Sequence, residues 1–218
     1  MATATKLEAF QTIEDLLEAL GGIAPSRVRL HPSPGTATEA DLIAFNARKV
    51  GLCELVDGIL VEKGMGYEES NLAILLAGFL NAFVIPRNLG MVSGADGMMR
   101  LFPGLVREPD VAFASWDRIP GRRRPKTPIA GFAPDLAIEV LSRSNRKAEM
   151  ARKRREYFAA GVRLVWEVNP RTRKVAVFDS PEHSITLDAS QILDGGEVLP
   201  GFALPLVDLF GELDRQGA

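Results

Sequence analysis

Three charged side chains stand at positions where charge needs a reason. Glu139 lies inside the apolar run Asp135-Leu-Ala-Ile-Glu-Val-Leu141. A strand that is apolar on both faces is normally buried on both. A carboxylate there is unfavourable unless it is paired or bound to a metal. Asp110 follows Pro109 and opens the apolar run Val111-Ala-Phe113. Lys153 falls on a helix expected over 146–160; at 100° per residue it lies about 60° from Met150 and about 40° from Tyr157, so it borders the packed stripe. Each has a plain structural reading: a salt-bridged acid, a turn residue, a lysine reaching past apolar surface to water. Together they have a chemical one. Two carboxylates on neighbouring strand ends can share a hard divalent cation through oxygen. Such a cation acidifies a bound water and offsets charge on a phosphoryl group. A nearby ammonium can position that water or stabilise the transition state. The basic runs Arg122-Arg-Arg124 and Arg152 to Arg155 can then hold a phosphate backbone.

These residues need elements to carry them. The strand 135–141, the helix 146–160 and a strand 162–168 form a βαβ unit with a right-handed crossover. Upstream, 6–20 has helical apolar spacing, ended by Gly21-Gly22, and Thr38 to Asp41 opens a short helix that reaches about Lys49. CELV and ILVE around Asp57-Gly58 read as a hairpin. Residues 69–85 read as a buried helix, followed by strands at 91–95, 98–102 and 106–114. A Pro/Arg-rich loop covers 117–131, and a further strand covers 173–178. The expected class is α/β with α+β character, a mixed sheet flanked by helices. Residues 1–50 form an N-terminal helical extension, 51–210 the main domain and 211–218 a tail.

Composition narrows the class. The chain has 218 residues, 46% hydrophobic and 25% charged, which excludes a disordered, collagen-like or purely coiled-coil chain. The net charge of −2 argues against a general nucleic-acid coat, but residues 121–155 carry 11 Lys/Arg against 3 Asp/Glu. A basic field on an acidic body can still draw a polyanion. The single cysteine, Cys53, cannot form an internal disulfide, so a reducing cytoplasm is expected. The longest apolar stretch, Leu72 to Ile85, is shorter than the ~20 residues of a membrane span. The N-terminus does not have the pattern of a signal peptide. His31 and His183 lack metal-ligand spacing, and no GxSxG, P-loop or GxGxxG motif is present. Ser142 and Ser144 read as helix-cap residues.

Pro109-Asp110, Glu139-Val-Leu-Ser142, Lys153-Arg-Arg-Glu-Tyr157 and Ala160-Gly-Val-Arg-Leu-Val-Trp166 together resemble the Uma-two-type family of bacterial endonucleases, within the restriction-endonuclease-like PD-(D/E)XK superfamily. The likeness extends to Glu54-Leu-Val-Asp-Gly58 and to Asp194-Gly-Gly through Leu-Pro-Gly-Phe202, about residues 50–210 in all. It implies an αβββαβ core with an N-terminal helical extension and an added β-hairpin. It also implies Mg2+- or Mn2+-dependent phosphodiester cleavage, with Asp110 and Glu139 as metal-binding acids. Two departures stand out. The superfamily lysine, two residues after the second acid, is Leu141 here, and its role is expected to pass to Lys153. The histidine that many relatives carry at the start of the first core helix corresponds to Glu69, with Glu68 as the register alternative. Glu69 is thus a candidate third metal ligand, or an ordinary first-turn acid favoured by the helix dipole. Glu54 also matches the family and is expected to support the site. The expected substrate is nucleic acid, DNA ahead of RNA, and the expected assembly is a homodimer. The rival expectation is a non-catalytic nucleic-acid-binding or regulatory protein on the same fold.

Overall fold

The computed structural model describes residues 10–64 and 66–217. The first helix, α1 (Ile13–Ala19), starts at Thr12, whose Oγ1 accepts the Asp15 N–H at 3.1 Å while Asp15 Oδ2 accepts the Thr12 N–H at 3.0 Å. The helical reading at 6–9 lies outside the described residues. The same box, Thr38 with Asp41, opens α2 (Glu39–Asn46). The hairpin strands β1 (Cys53–Val56) and β2 (Ile59–Glu62) pair antiparallel. Asp57 and Gly58 join them with φ of 51° and 75°, the left-handed pair that a two-residue hairpin turn requires. A Cβ on Gly58 would meet the Gly35 carbonyl oxygen at 2.5 Å, so that position is closed to larger residues.

Then come α3 (Tyr67–Val84), β3 (Gly90–Gly94), β4 (Met99–Phe102), β5 (Leu105–Arg107) and β6 (Val111–Ser115). The single strand expected over 106–114 is therefore two. Pro109 has no N–H to give a ladder, and the chain breaks at Glu108-Pro109-Asp110, where it passes from one sheet to another. The chain continues through β7 (Leu136–Val140), α4 (Lys147–Ala159), β8 (Leu164–Asn169), β9 (Lys174–Phe178), β10 (Ser184–Leu187), β11 (Ile192–Gly195), β12 (Leu199–Pro205) and α5 (Leu206–Asp214). The large sheet has the order β10-β9-β8-β7-β6-β3, with β7 and β8 parallel and its other pairs antiparallel. The small sheet has the order β2-β1-β5-β4, and β11 pairs with β12. The elements α3, β3, β6, β7, α4 and β8 give the expected αβββαβ order. Among the described residues no helix is long and apolar enough to cross a membrane.

Side-chain alternation sorts the large sheet into two buried faces. Leu136, Ile138 and Val140 pack with Trp166 and Val168 under Leu72, Leu76 and Leu80 of α3 and under Leu209 and Phe210 of α5. Ala137 and Val165 face the other way, against Tyr157 of α4 and Val56, Ile59 and Val61 of the hairpin. The small sheet closes a further cluster in which Leu55, Leu60 and Val106 meet Leu42 and Phe45 of α2. Each fully buried Leu or Phe adds about 1.5–3 kcal/mol. The second face of β7, bounded by α4 and the small sheet, is where polar groups break the apolar packing.

Candidate active site

Glu139 lies on that second face, one residue from both Ile138 and Val140. Val111 pairs with Ile138, so the next position toward the end of β7 sets Asp110 beside Glu139. Asp110 Oδ2 accepts the Val140 N–H at 2.7 Å, which fixes the carboxylate against the strand end. Both acids are 4% exposed.

Lys153 projects from α4 onto Glu139, with Nζ at 3.2 Å from Oε1 and 3.1 Å from Oε2. It also reaches Glu54 Oε1, at 3.1 Å. Tyr157, one turn further along α4, donates its hydroxyl to Glu139 Oε1 at 2.6 Å. The helix crosses over the strand end, as a lysine on it requires in order to serve this site. Asp110, Glu139 and Lys153 are thus brought together from three elements.

Several partners had no local signal in the sequence. Lys63, at the end of β2, places Nζ at 2.9 Å from Asp110 Oδ1 and 3.3 Å from the Ala95 carbonyl oxygen, and also donates to the Glu108 carbonyl. Glu54 accepts from Arg107 Nη1 at 2.7 Å and from the Glu108 N–H at 3.1 Å. Arg107 also donates to Glu156 Oε2, at 2.8 Å from Nε and 2.5 Å from Nη2. Arg152 ties Glu156 to Asp57 of the hairpin turn, with both contacts at 2.7 Å. The contacts 153 with 54 and 110 with 63 join distant parts of the chain, so helical or strand periodicity could not reveal them.

Charge and burial set the protonation. Burial pushes the Glu54 carboxyl up, but Lys153 and Arg107 outweigh it and hold the group well below the usual carboxylate range. Burial alone would pull Lys153 down, yet the Glu139 and Glu54 carboxylates raise it, so it stays an ammonium. Glu139 is raised by burial, against Lys153 and with Asp110 and Glu54 adding to the shift. Glu108 is raised by burial to about 8, so it is mostly protonated at neutral pH. Its Oε1 accepts from Asn46 Nδ2 at 2.7 Å, and its buried Oε2 has no hydrogen-bond partner among the described residues.

Beyond the end of β7, at Ser142, lie two clefts that the three buried charged residues do not themselves line. A cleft of about 320 Å3 is lined by Gly64, Glu69, Ser142, Arg143 and Arg171. Glu68 lines it too, so both register alternatives face the same opening. Glu69 Oε2 accepts the Gly66 N–H at 3.1 Å and caps its own helix. A neighbouring groove of about 480 Å3 shares Ser142 and Arg171 and adds Arg146 and Lys147. Arg143, Arg146, Lys147 and Arg171 are exposed. Ser142 and Ser144 shape the turn between them, with their hydroxyl oxygens 2.8 Å apart. The cap of α4 is supplied by Glu149, which accepts the Arg146 N–H at 3.3 Å.

The basic runs divide differently from the sequence expectation. The loop that carries Arg122 to Arg124 leaves the far end of β6, past Ser115, about 17 Å from Asp110 at 3.3 Å per residue. Arg122 there pairs with Asp117. In the second run, Arg152 and Arg154 are held by Glu156 and Glu167. The exposed cations lining the two clefts past the end of β7 are Arg143, Arg146, Lys147 and Arg171.

Among the described residues no group of three or more His, Cys, Asp or Glu converges in a way that could hold a metal ion. The donor set still suits a hard divalent cation: two carboxylates side by side, with oxygen as the only ligand type. The Lys63 ammonium among three oxygens shows that a positive centre is accommodated there.

A family model described as "Putative restriction endonuclease", Uma2, matches residues 48–207. Among solved structures the chain is similar to a "putative nuclease belonging to DUF820" from Anabaena variabilis, at 21% identity and a TM-score of 0.66. The match covers 75% of this chain and 92% of that one. At that identity the likeness shows the fold, which is the restriction-endonuclease-like one. No match is found among curated proteins.

Proposed function

Because the chain belongs to the Uma2 family of restriction-endonuclease-like proteins, we propose that it is a divalent-metal-dependent endonuclease that hydrolyses phosphodiester bonds of DNA. The observation that carries the reading is the buried pairing of Asp110 with Glu139 at one strand end, with Lys153 on the second acid; the same strand leads into the turn at Ser142 that lines a basic cleft. Asp110 and Glu139 are the residues that would hold Mg2+ or Mn2+; Glu69 lines the neighbouring cleft, where it caps its own helix. Such an ion, when bound, supplies an acidified water and offsets phosphoryl charge. The Val140 N–H and Tyr157 hydroxyl keep the two acids in fixed orientation. Lys153 orients Glu139 in the resting protein and is the ammonium assigned to the attacking water. Arg143, Arg146, Lys147 and Arg171 would hold the phosphate backbone along the cleft. The assembly proposed is a homodimer, one site for each strand.

Cleavage of plasmid and single-stranded DNA with Mg2+ or Mn2+, beside calorimetry of the same ions, tests the assignment. Asp110→Asn and Glu139→Gln are expected to lose both cleavage and ion binding while remaining folded. Cleavage that persists in both variants rejects the site.

One observation favours a second reading. Both acids already have ammonium partners, as a non-catalytic nucleic-acid-binding module would keep them. DNA binding that needs the cleft arginines, without cleavage under any divalent ion, would select that alternative.

A further inference from the structure

We propose that Lys63 is a resident cation that reserves Asp110, so that a divalent ion enters only together with a phosphodiester. The inference rests on the metal-dependent reading above. The Lys63 ammonium is held by one carboxylate oxygen, Asp110 Oδ1 at 2.9 Å, and by the carbonyls of Ala95 and Glu108. Three oxygens around one positive centre form a small cation cage. The other Asp110 oxygen is taken by the Val140 N–H, and both Glu139 oxygens are taken by Lys153. The buried heart of the cluster is electrically balanced: Asp110, Glu139 and Glu54 face Lys63, Lys153 and Arg107, while Arg152 further out is shared by Glu156 and Asp57. A dication added to this balance meets two ammonium groups, and burial strengthens the repulsion.

The Lys63 side chain is 6% exposed, and its chain neighbour Gly64 lines the cleft that also carries Arg143 and Arg171. Ala95, whose carbonyl it donates to, lines a separate cavity of about 790 Å3 with Asn46 and Asp96. A phosphodiester in the cleft brings negative charge beside Gly64 and gives the departing ammonium a new partner. Lys153 differs in its partners: it grips two carboxylates from a helix, whereas Lys63 holds one carboxylate and two backbone carbonyls. Lys63 is therefore a positioning residue that couples ion entry to substrate arrival.

The test is Mn2+ titration by calorimetry, with and without a 12-base-pair DNA duplex, on wild type, Lys63→Met, Lys63→Gln and Lys63→Met/Asp110→Asn. Without duplex, Lys63→Met is expected to bind Mn2+ at least tenfold more tightly than wild type, and the added Asp110→Asn to abolish the gain. Duplex should tighten Mn2+ binding at least tenfold in wild type and much less in Lys63→Met. Lys63→Gln keeps a donor for Asp110 Oδ1 without the charge, so it carries the test if the methionine variant fails to fold. Equal Mn2+ affinity in wild type and the Lys63 variants, lost on Asp110→Asn, overturns the role of Lys63 and leaves the metal site standing. Absence of Mn2+ binding in every protein, with or without duplex, overturns the metal reading itself and this inference with it.

Discussion

Replacing Lys153 by methionine should destabilise the fold as well as the site. Methionine keeps most of the unbranched stem, so packing along α4 is largely retained and the change is electrostatic. Three carboxylate oxygens lie within 3.2 Å of Nζ. Glu54 keeps Arg107 and the Glu108 N–H, whereas Glu139 keeps only the Tyr157 hydroxyl as a hydrogen-bond donor. Removing one partner of a buried ion pair costs about 3–5 kcal/mol, and here most of it falls on Glu139. Against a total stability of about 5–15 kcal/mol, that is a large share. With a urea m value of about 2–3 kcal/mol/M, the unfolding midpoint should fall by about 1–2 M. Adding Glu139→Gln removes the stranded charge, so the double variant should recover much of the loss. The cycle should give a coupling above about 1 kcal/mol. Urea unfolding followed by circular dichroism and tryptophan fluorescence measures all four proteins. A Lys153→Met midpoint within error of wild type, with no coupling to Glu139→Gln, would refute the argument that this ammonium compensates buried carboxylates.

Neutralising Arg143, Arg146 and Arg171 should weaken DNA binding and lower the salt slope by about 0.9 for each phosphate that is no longer neutralised; the triple Arg122/Arg123/Arg124→Ala change should leave that slope unchanged, and the opposite ranking would move the interface to the other end of the sheet. Cys53 is buried, and desolvation with nearby carboxylates pushes its thiol up to about 12; a disulfide exchange reagent at pH 8 should therefore label it only after unfolding, and labelling of the native protein would contradict the packing. Burial raises the Asp135 carboxyl, but the Ser115 N–H with Arg118 and Arg163 outweighs it and brings the group below its ordinary value. Its stabilisation is then present above the unfolded pKa of about 3.9 and is lost as pH falls through the lower folded value. Asp135→Asn should cost about 1–3 kcal/mol at pH 7, with the gap closing below about pH 4 in acid unfolding; a gap that stays constant down to pH 2 would refute the assignment.

Much of this was legible in the sequence because it is local. Glu139 announces itself as an acid in an apolar strand, Asp57-Gly58 as a turn, and Thr38 with Asp41 as a helix start. The αβββαβ order followed from the family likeness, and its closing βαβ unit from the strand and helix patterns. The break at Pro109 was missed because apolar residues continue on both sides of it, and only the change of sheet makes it visible. The last helix, α5, was missed too, although Leu206, Leu209 and Phe210 have helical spacing. The contacts of Lys63 could not be read, since its partners lie in the break between β5 and β6 and in the loop after β3. The Arg122–Arg124 loop shows a related limit: it leaves the end of β6 opposite Asp110, which charge density along the chain does not reveal.

The charged cluster bridges the two sheets, and that affects the order of assembly. Glu54 and Arg107 come from the small sheet; Glu139 and Lys153 come from β7 and α4. The contacts of Arg107 with Glu54 and Glu156 and of Lys153 with Glu54 close chain loops of some fifty to a hundred residues, the kind of pairing that slows folding. Until both halves are present, Lys153 and Glu139 gain more from hydration than from burial, so α4 has little reason to dehydrate against β7 alone. The cluster is dry only where the hairpin strand that carries Glu54 lies against α4. A chain interrupted before that contact forms would retain a wet, loosened site rather than a partly working one.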